Sequence, residues 1–259
     1  MNSTITIPFY KSLGGRLLVA LTLVTITTVI TLGSTIYLTQ KAAFEAQVRA
    51  QLTSLADLRK EQLVTWLDER QADVRLLAIN KLNQDHLTQI LTTEMAPAHK
   101  AEFTTFLTDN FIGLQQSRKG YTEVAFTDIS GTVIIATNPA LVGQPTLHQK
   151  IFDRTLASTE GKFIEDIHPT PLGDGNSMSF GHVVRAIDLE TGEELPDIIG
   201  IVYTVVNMED TIYPLIRVWS DTGMTGETLL VRAEDDRITR FLNDLRFDAD
   251  AALTLSLPL

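Results

Sequence analysis

Hydrophobic and polar positions change period along the chain, and each change marks an element. Residues 17–38 form a stretch of 22 positions without a charged side chain. At about 1.5 Å per residue, a helix of that length crosses a hydrocarbon core of roughly 30 Å. The many threonines are compatible with this, because a Thr hydroxyl bonds back to the preceding helical turn. Lys11 and Arg16 lie just before the span, and the positive-inside bias of membrane helices places the N-terminus in the cytoplasm. The alternative is a cleaved signal peptide, with an apolar stretch of about 7–15 residues ending at a small-x-small site. Here the stretch is longer and ends in Tyr37-Leu38-Thr39-Gln40, which favours an uncleaved anchor. Residues 1–16 are then a cytoplasmic N-terminus, 17–38 a single transmembrane helix, and 39–259 lie outside the cytoplasmic membrane.

Beyond the span the period becomes that of an amphipathic helix. Val48, Leu52, Leu55, Arg59, Leu63, Trp66, Arg70, Val74 and Leu77 recur at gaps of three and four residues, and no Gly or Pro interrupts residues 41–94. This is one face of an α-helix. Arg59 and Arg70 interrupt the seam, although their stems can cover apolar surface. The pattern predicts a long helix that pairs with a partner near the membrane and packs on its own domain further out. The simpler alternative is an amphipathic helix packed only on its own domain. Met95-Ala96-Pro97 breaks the pattern. Phe103, Phe106, Leu107, Phe111 and Leu114 then predict a second helix over roughly 98–116, ended by Lys119-Gly120.

From Tyr121 the period is that of strands. Residues 121–127 and 132–137 are β-rich runs joined by the hairpin turn Asp128-Ile129-Ser130-Gly131. A short helix is expected within 147–157 and a further strand over 162–167. Residues 169–176, rich in Pro, Gly, Asp and Asn, read as a surface loop. Two longer strands follow, 177–187 and 197–207, joined by a turn at 188–193. The order is long helix, helix, hairpin, helix and three antiparallel strands: an α+β module with a sheet of about five strands.

Composition narrows the chemistry. The absence of cysteine excludes disulfides, thiolate metal sites and Cys nucleophiles. The net charge of −11 argues against a nucleic-acid partner, since phosphate neutralisation needs clustered Lys and Arg. Setting aside Lys11 and Arg16, the 21 basic residues fall to 19 against 32 acidic ones, so residues 39–259 carry a net of −13.

The run Phe126-Thr127-Asp128-Ile129-Ser130-Gly131-Thr132-Val133-Ile134-Ile135-Ala136-Thr137 is similar to the central hairpin of the extracytoplasmic Cache sensor family. Residues 138–144, with Leu141-Val142-Gly143, resemble the loop after it. Ile199-Gly200-Ile201-Val202-Tyr203-Thr204-Val205-Val206 resembles its late sheet strand. Together with the order of membrane helix, signalling helix and sheet, these resemble the double-Cache region of bacterial transmembrane receptors over roughly residues 17–217. A second resemblance starts at Trp219, where residues 220–232 are similar to the turn and first strand opening a membrane-proximal Cache module. Phe241-Leu242-Asn243-Asp244-Leu245 continues it in the manner of receptor histidine kinases. The resemblance implies a transmembrane helix, a long signalling helix, a PAS-like antiparallel sheet within 39–217, and the start of an incomplete second Cache module over 218–259. It implies the sensing part of a histidine-kinase-like receptor in the bacterial inner membrane, truncated before its output domain.

Catalytic signals are few. Gly223-Met224-Thr225-Gly226 lacks the Lys-Ser/Thr of a phosphate loop, and neither a Gly-x-Ser-x-Gly elbow nor a His-Glu-x-x-His pair occurs. His86, His99, His148, His168 and His182 are scattered without ligand spacing and are expected at solvated positions. Asp166, His168 and His182 are the one group that neighbouring strands could gather, and a zinc site needs three or four converging ligands. No catalytic residue, metal or cofactor is therefore expected. A binding pocket is the better reading, since in Cache modules the ligand sits on a sheet face under the helices and the long loop. Alternation puts Met178, Phe180, His182 and Val184 on one face and Ser179, Val183 and Arg185 on the other, while Tyr203 shares a face with Ile201 and Val205. Tyr121, Phe180, His182, Arg185 and Tyr203 are the candidate ligand-binding residues, with His182 or Arg185 suited to a carboxylate. The alternative is that the three aromatics are core and Arg185 is a surface charge. The aromatic-Arg-Trp-Tyr signature of amino-acid-binding Cache domains has no match in the chain. The expected function is extracytoplasmic small-molecule sensing and transmembrane signal transduction, by a homodimer paired through the long helix. A membrane-anchored enzyme using Asp166, His168 and His182, and a ligand-free structural module, are the competing classes.

Overall fold

The computed structural model describes residues 13–171, 175–217, 227–235, 238–248 and 250–258. The chain divides into two compact units, residues 1–60 and 61–259. In the first unit the described chain is helical throughout. It belongs to α1 (Leu13–Ile79), the one helix among the described residues long and apolar enough to cross a membrane. Leu, Ile and Val side chains along 17–38 are exposed, which suits a segment whose solvent is lipid. All seven threonines from Thr22 to Thr39 donate their hydroxyls to the carbonyl four residues back, at 2.8–2.9 Å. Each hydroxyl is thus satisfied within the helix, as a hydrocarbon environment requires.

In the second unit, residues 61–79 of α1 pack their apolar stripe. Val74 and Ala78 are fully buried, and Leu63, Trp66, Leu67 and Leu77 lie against the same core. The sequence predicts helix onward to Met95, but the structure breaks it at Asn80. That residue is extended (φ −65°, ψ 118°), and its Oδ1 accepts from the Leu82 and Asn83 amides at 3.0 and 3.1 Å. An Asn side chain offers the backbone an alternative to the helical ladder, so a new helix, α2 (Lys81–Thr92), starts without Gly or Pro. α3 (Pro97–Ser117) begins with Pro97 in its first turn, where the missing amide costs nothing. Leu107 and Phe111 are its buried residues.

The sheet follows as read from the alternation. β1 (Tyr121–Asp128), β2 (Val133–Ala136), β3 (Lys162–Pro169), β4 (Asn176–Ile187) and β5 (Glu194–Asn207) form one five-stranded sheet in the order β2-β1-β5-β4-β3. Every pairing is antiparallel. The β1–β2 turn is held by Asp128, whose Oδ1 accepts from the Ser130 and Thr132 amides, and Gly131 supplies φ +83°. α4 (Gln149–Leu156) lies between β2 and β3 in the chain.

The sheet has two unlike faces. On one, α1, α2 and α3 enclose Val124, Phe126, Met178, Phe180, Val184, Val202 and Val206. On the other, α4 contributes Ile151 and Phe152 to a smaller cluster with Ala125, Val183, Ile201, Tyr203 and Val205. After β5 a helix the sequence does not announce, α5 (Ile212–Arg217), buries Ile212, Tyr213 and Ile216 in the larger core. β6 (Val231–Asp235), β7 (Ile238–Phe241) and β8 (Ser256–Pro258) make a second, antiparallel sheet. Leu230, Leu242 and Leu253 join its segment to the larger core, and Tyr213 donates to the Leu242 carbonyl at 2.6 Å. The expected opening turn of a second module, Trp219 and 220–226 with its Gly223–Gly226 tetrapeptide, lies outside the described residues.

Candidate ligand-binding site

The α4 face of the sheet concentrates buried polar side chains. One cross-strand row runs Glu123 on β1, Val205 on β5, Ser179 on β4 and Glu165 on β3, each opposite the next. Three inter-strand steps of about 4.8 Å put the two carboxylate-bearing positions roughly 14 Å apart. Both glutamates are buried. A buried carboxylate needs donors or a cation nearby, and each end of the row supplies them differently.

At the β1 end the register shifts between Tyr121 and Glu123. Residues two apart ordinarily share a face, and a bulge breaks that rule. Tyr121 therefore joins the α1 face, donating to Asp73 Oδ2 at 2.9 Å, while Glu123 turns to the α4 face. There Tyr203 donates to Glu123 Oε1 at 2.6 Å and His148 Nε2 stands 3.6 Å from Oε2. Thr146 Oγ1 donates to the Tyr203 hydroxyl at 3.4 Å and accepts from the His148 amide at 3.2 Å. Burial, then the Glu123 carboxylate, pushes the Tyr203 hydroxyl well above its ordinary range, so Tyr203 stays a donor.

At the β3 end the arrangement is open-handed. Lys150 on α4 is exposed and reaches Glu165 Oε1 at 3.3 Å, and His168 Nδ1 lies 4.0 Å from the same oxygen. His168 Nδ1 is also 2.9 Å from the Asp166 carbonyl. Three buried polar atoms here have no hydrogen-bond partner: Ser179 Oγ, Thr155 Oγ1 and His168 Nε2. Thr155 sits directly over Gly181, where an added Cβ would come within 2.2 Å of its Oγ1. Glycine at 181 is what lets α4 seat that close to β4. Because native interiors pair nearly all buried polar groups, the unpaired atoms at this end of the row single it out as the candidate site.

The five residues singled out from sequence are divided by the fold. Tyr203 stands on the same face in the neighbouring row, between Ala125 and Gly181, and its hydroxyl reaches Glu123. Tyr121 and Phe180 are buried on the α1 face, Phe180 edge-on to Trp66 at 5.8 Å and Tyr121 under the Arg70 guanidinium at 5.5 Å. Burial, then Asp73, raises the Tyr121 hydroxyl above its ordinary range. His182 lines a groove beside α1, and Arg185 donates to the Pro196 carbonyl and faces Glu194 at 3.8 Å. Sequence reasoning passed over Glu123, Glu165, His148 and Ser179. The signal available was a Glu inside each of two β-rich runs, where an ionised side chain is unusual unless partnered. Surface positions are expected for the histidines, yet His148 is buried against Tyr203 and His86 is stacked on Phe103 at 4.1 Å. Asp166, His168 and His182 do not converge. His168 lies opposite Ser177 on β4, five residues from His182, or roughly 16 Å along the strand.

The chain matches no protein-family model and no curated protein. Solved structures do match. The sensory domain of the Campylobacter jejuni chemoreceptor Tlp3 (CcmL) aligns at TM-score 0.50 and 14% identity, over 67% of this chain and 65% of that one. The ligand-binding domain of the Pseudomonas aeruginosa amino acid chemoreceptor PctC, in complex with GABA, aligns at TM-score 0.50 and 13% identity, over 78% and 76%. The chain thus spans less than two thirds of the Campylobacter domain. These neighbours are sensory rather than catalytic domains, and what this chain shares with them is the fold, here a mixed α+β arrangement of an antiparallel sheet with helices on both faces.

Proposed function

We propose that this chain is the sensing part of a membrane receptor and that it binds a small zwitterion on the α4 face of its sheet. The observation that carries the reading is the buried Glu165 with unpartnered Ser179 and Thr155 hydroxyls beside it and exposed Lys150 at the rim. Glu165 takes an ammonium group, Lys150 a carboxylate, and the two hydroxyls the remaining polar atoms. Tyr203, held by Glu123, closes the far end. Of the other sequence candidates, Tyr121 and Phe180 serve the reading by fixing the sheet against α1. His182, which lines the groove beside α1, and Arg185, which donates to the Pro196 carbonyl, take no part in it.

In this reading residues 17–38 span the bacterial inner membrane, 1–16 are cytoplasmic and 39–259 extracytoplasmic. Residues 39–217 form the membrane-distal sensor module and 218–259 begin a second Cache module. The exposed apolar positions Phe44, Val48 and Leu52 pair with a second copy. The output is a histidine-kinase-like domain. A ligand shifts such a receptor only by binding one of its states better than the other, and α1, which leads from span to sheet, is the element to be shifted. PctC, whose fold this chain shares, is an amino acid chemoreceptor solved with GABA, which suits the zwitterion.

The test is a thermal-shift series on the full chain in nanodiscs, with GABA and the common amino acids. A ligand at a hundred times its dissociation constant adds about 2.7 kcal/mol of stability. At least one compound should raise the melting temperature, and Glu165→Gln should remove the shift. A shift that survives Glu165→Gln, or no shift from any compound, overturns the reading.

A further inference from the structure

A second polar recess lies on the opposite side of the sheet. It is an open groove of about 360 Å³ between α1 and the β3–β4 edge, lined by Asp68, Gln71, Arg75, Glu160, Lys162 and His182 among others. That volume falls within the range of small-molecule sites. Gln71 lies on its floor: Nε2 donates to the Gly181 carbonyl at 3.3 Å, and Oε1 is buried without a partner. Arg75 follows at i+4, so the two side chains leave the helix as neighbours about 6 Å apart. Arg75 is exposed and makes no ion pair among the described residues, whereas Lys162 is engaged by Glu160 at 3.0 Å. The groove therefore presents one buried acceptor that needs a donor and one cation that needs an anion, side by side.

We propose that this groove is a second ligand site, for a small α-hydroxycarboxylate whose carboxylate pairs with Arg75 and whose hydroxyl donates to Gln71 Oε1. A guanidinium suits a carboxylate because both are planar and can share two parallel bonds. A hydroxyl on the adjacent carbon has the reach that the i,i+4 pair demands. A hydroxyl fits better than an ammonium at that point. Burial, followed by Arg75 and Lys162, holds His182 below its ordinary pKa while Glu194 acts the other way. Asp68 and Glu160 balance the two lining cations, but Arg75, the immediate neighbour of Gln71 on α1, opposes a second cation beside it. Because the groove touches both α1 and β4, an occupant bears directly on how the helix rests on the sheet. The proposal does not depend on the α4-face site.

The probe is sodium L-lactate, titrated calorimetrically into the full chain in nanodiscs, with acetate as the analogue lacking the hydroxyl. L-lactate should bind saturably and at least tenfold more tightly than acetate, since acetate leaves Gln71 Oε1 unpaired. Arg75→Met, at an exposed position, should weaken L-lactate at least tenfold without changing the far-ultraviolet circular dichroism. Gln71→Met should erase the preference over acetate. Glu165→Gln should leave L-lactate binding intact. The inference is overturned if L-lactate does not saturate, if acetate binds as well, if Arg75→Met binds normally, or if Glu165→Gln abolishes binding and so places the anion on the α4 face.

Discussion

On the α1 face of the sheet each large side chain closes against a neighbour: Phe180 against Trp66, Tyr121 against Asp73 and Arg70, Phe126 among Val124 and Val202. On the α4 face the strands carry small residues, Gly181 and Ser179 on β4 and Ala125 on β1, with α4 seated directly over Gly181. The Ser179 and Thr155 hydroxyls there are buried without partners, as that of Thr204 is on the α1 face. One sheet thus carries a face closed by large side chains and a face whose strands are smaller and more polar. The largest stability costs should therefore follow truncations on the first, and in the reading proposed above the zwitterion is met on the second, with the groove beside α1 at the rim of the first.

The sharpest way to break that comparison is a pair of truncations on adjacent residues of β4. Phe180→Ala removes a fully buried ring from the larger core, and such truncations cost about 3–5 kcal/mol. Ser179→Ala removes a buried hydroxyl that has no partner, so about 1 kcal/mol or less is expected, in either direction. Chemical denaturation followed by circular dichroism measures both. If Ser179→Ala costs as much as Phe180→Ala, the α4 face is packed like the other and the comparison fails.

The face closed by large side chains was legible in the sequence and the more polar face largely was not, for a physical reason. Helix packing and strand burial are written as periods, so the stripe through Trp66 and Val74 and the alternation through Met178, Phe180 and Val184 mark apolar faces, although Phe180 and Tyr121 read from sequence as ligand-binding candidates. The strand bounds, the hairpin turn at Asp128 and the Pro97 start of α3 followed from local chemistry in the same way. A binding face is assembled from residues distant in sequence. Glu123 and Glu165 come into one row only through two intervening strands, and a single register shift beside Tyr121 decides which face Glu123 occupies. The break at Asn80 was hidden too, because an Asn cap inside a polar run looks like any solvent-facing position until its side chain is seen on the Leu82 and Asn83 amides.

A smaller effect sharpens the comparison by locating α4. In Gly181→Ala the new Cβ meets Thr155 Oγ1 at 2.2 Å and Ile151 Cγ1 at 3.1 Å. Overpacking of this kind costs about 1–3 kcal/mol. Thr155→Ala takes away the nearer obstacle, so the double variant should recover part of the loss, and the double-mutant cycle reads the coupling directly. Strict additivity of the two changes would mean that α4 does not rest on Gly181 in solution.

The smallest expected effect tests whether Arg75 faces the groove beside α1, whose lining sets Arg75 and Lys162 against Asp68 and Glu160. His182 Nδ1 is 2.8 Å from the Val183 carbonyl, and burial, followed by Arg75 and Lys162, lowers its pKa from 6.5. As pH falls through 6.5 the unfolded chain takes up a proton that the folded chain still refuses, so stability declines with falling pH. The contribution is complete above pH 6.5 and lost as pH drops through the lowered folded value. Comparing denaturation midpoints between pH 8 and 5, His182→Gln should show a shallower acid slope than the parent. Arg75→Met should move the His182 titration, followed by its ring-proton chemical shift, part of the way back toward 6.5, because one of the two opposing cations is gone while burial is unchanged. If the titration does not move, Arg75 turns away from the groove, and the floor residue Gln71 has no cation beside it.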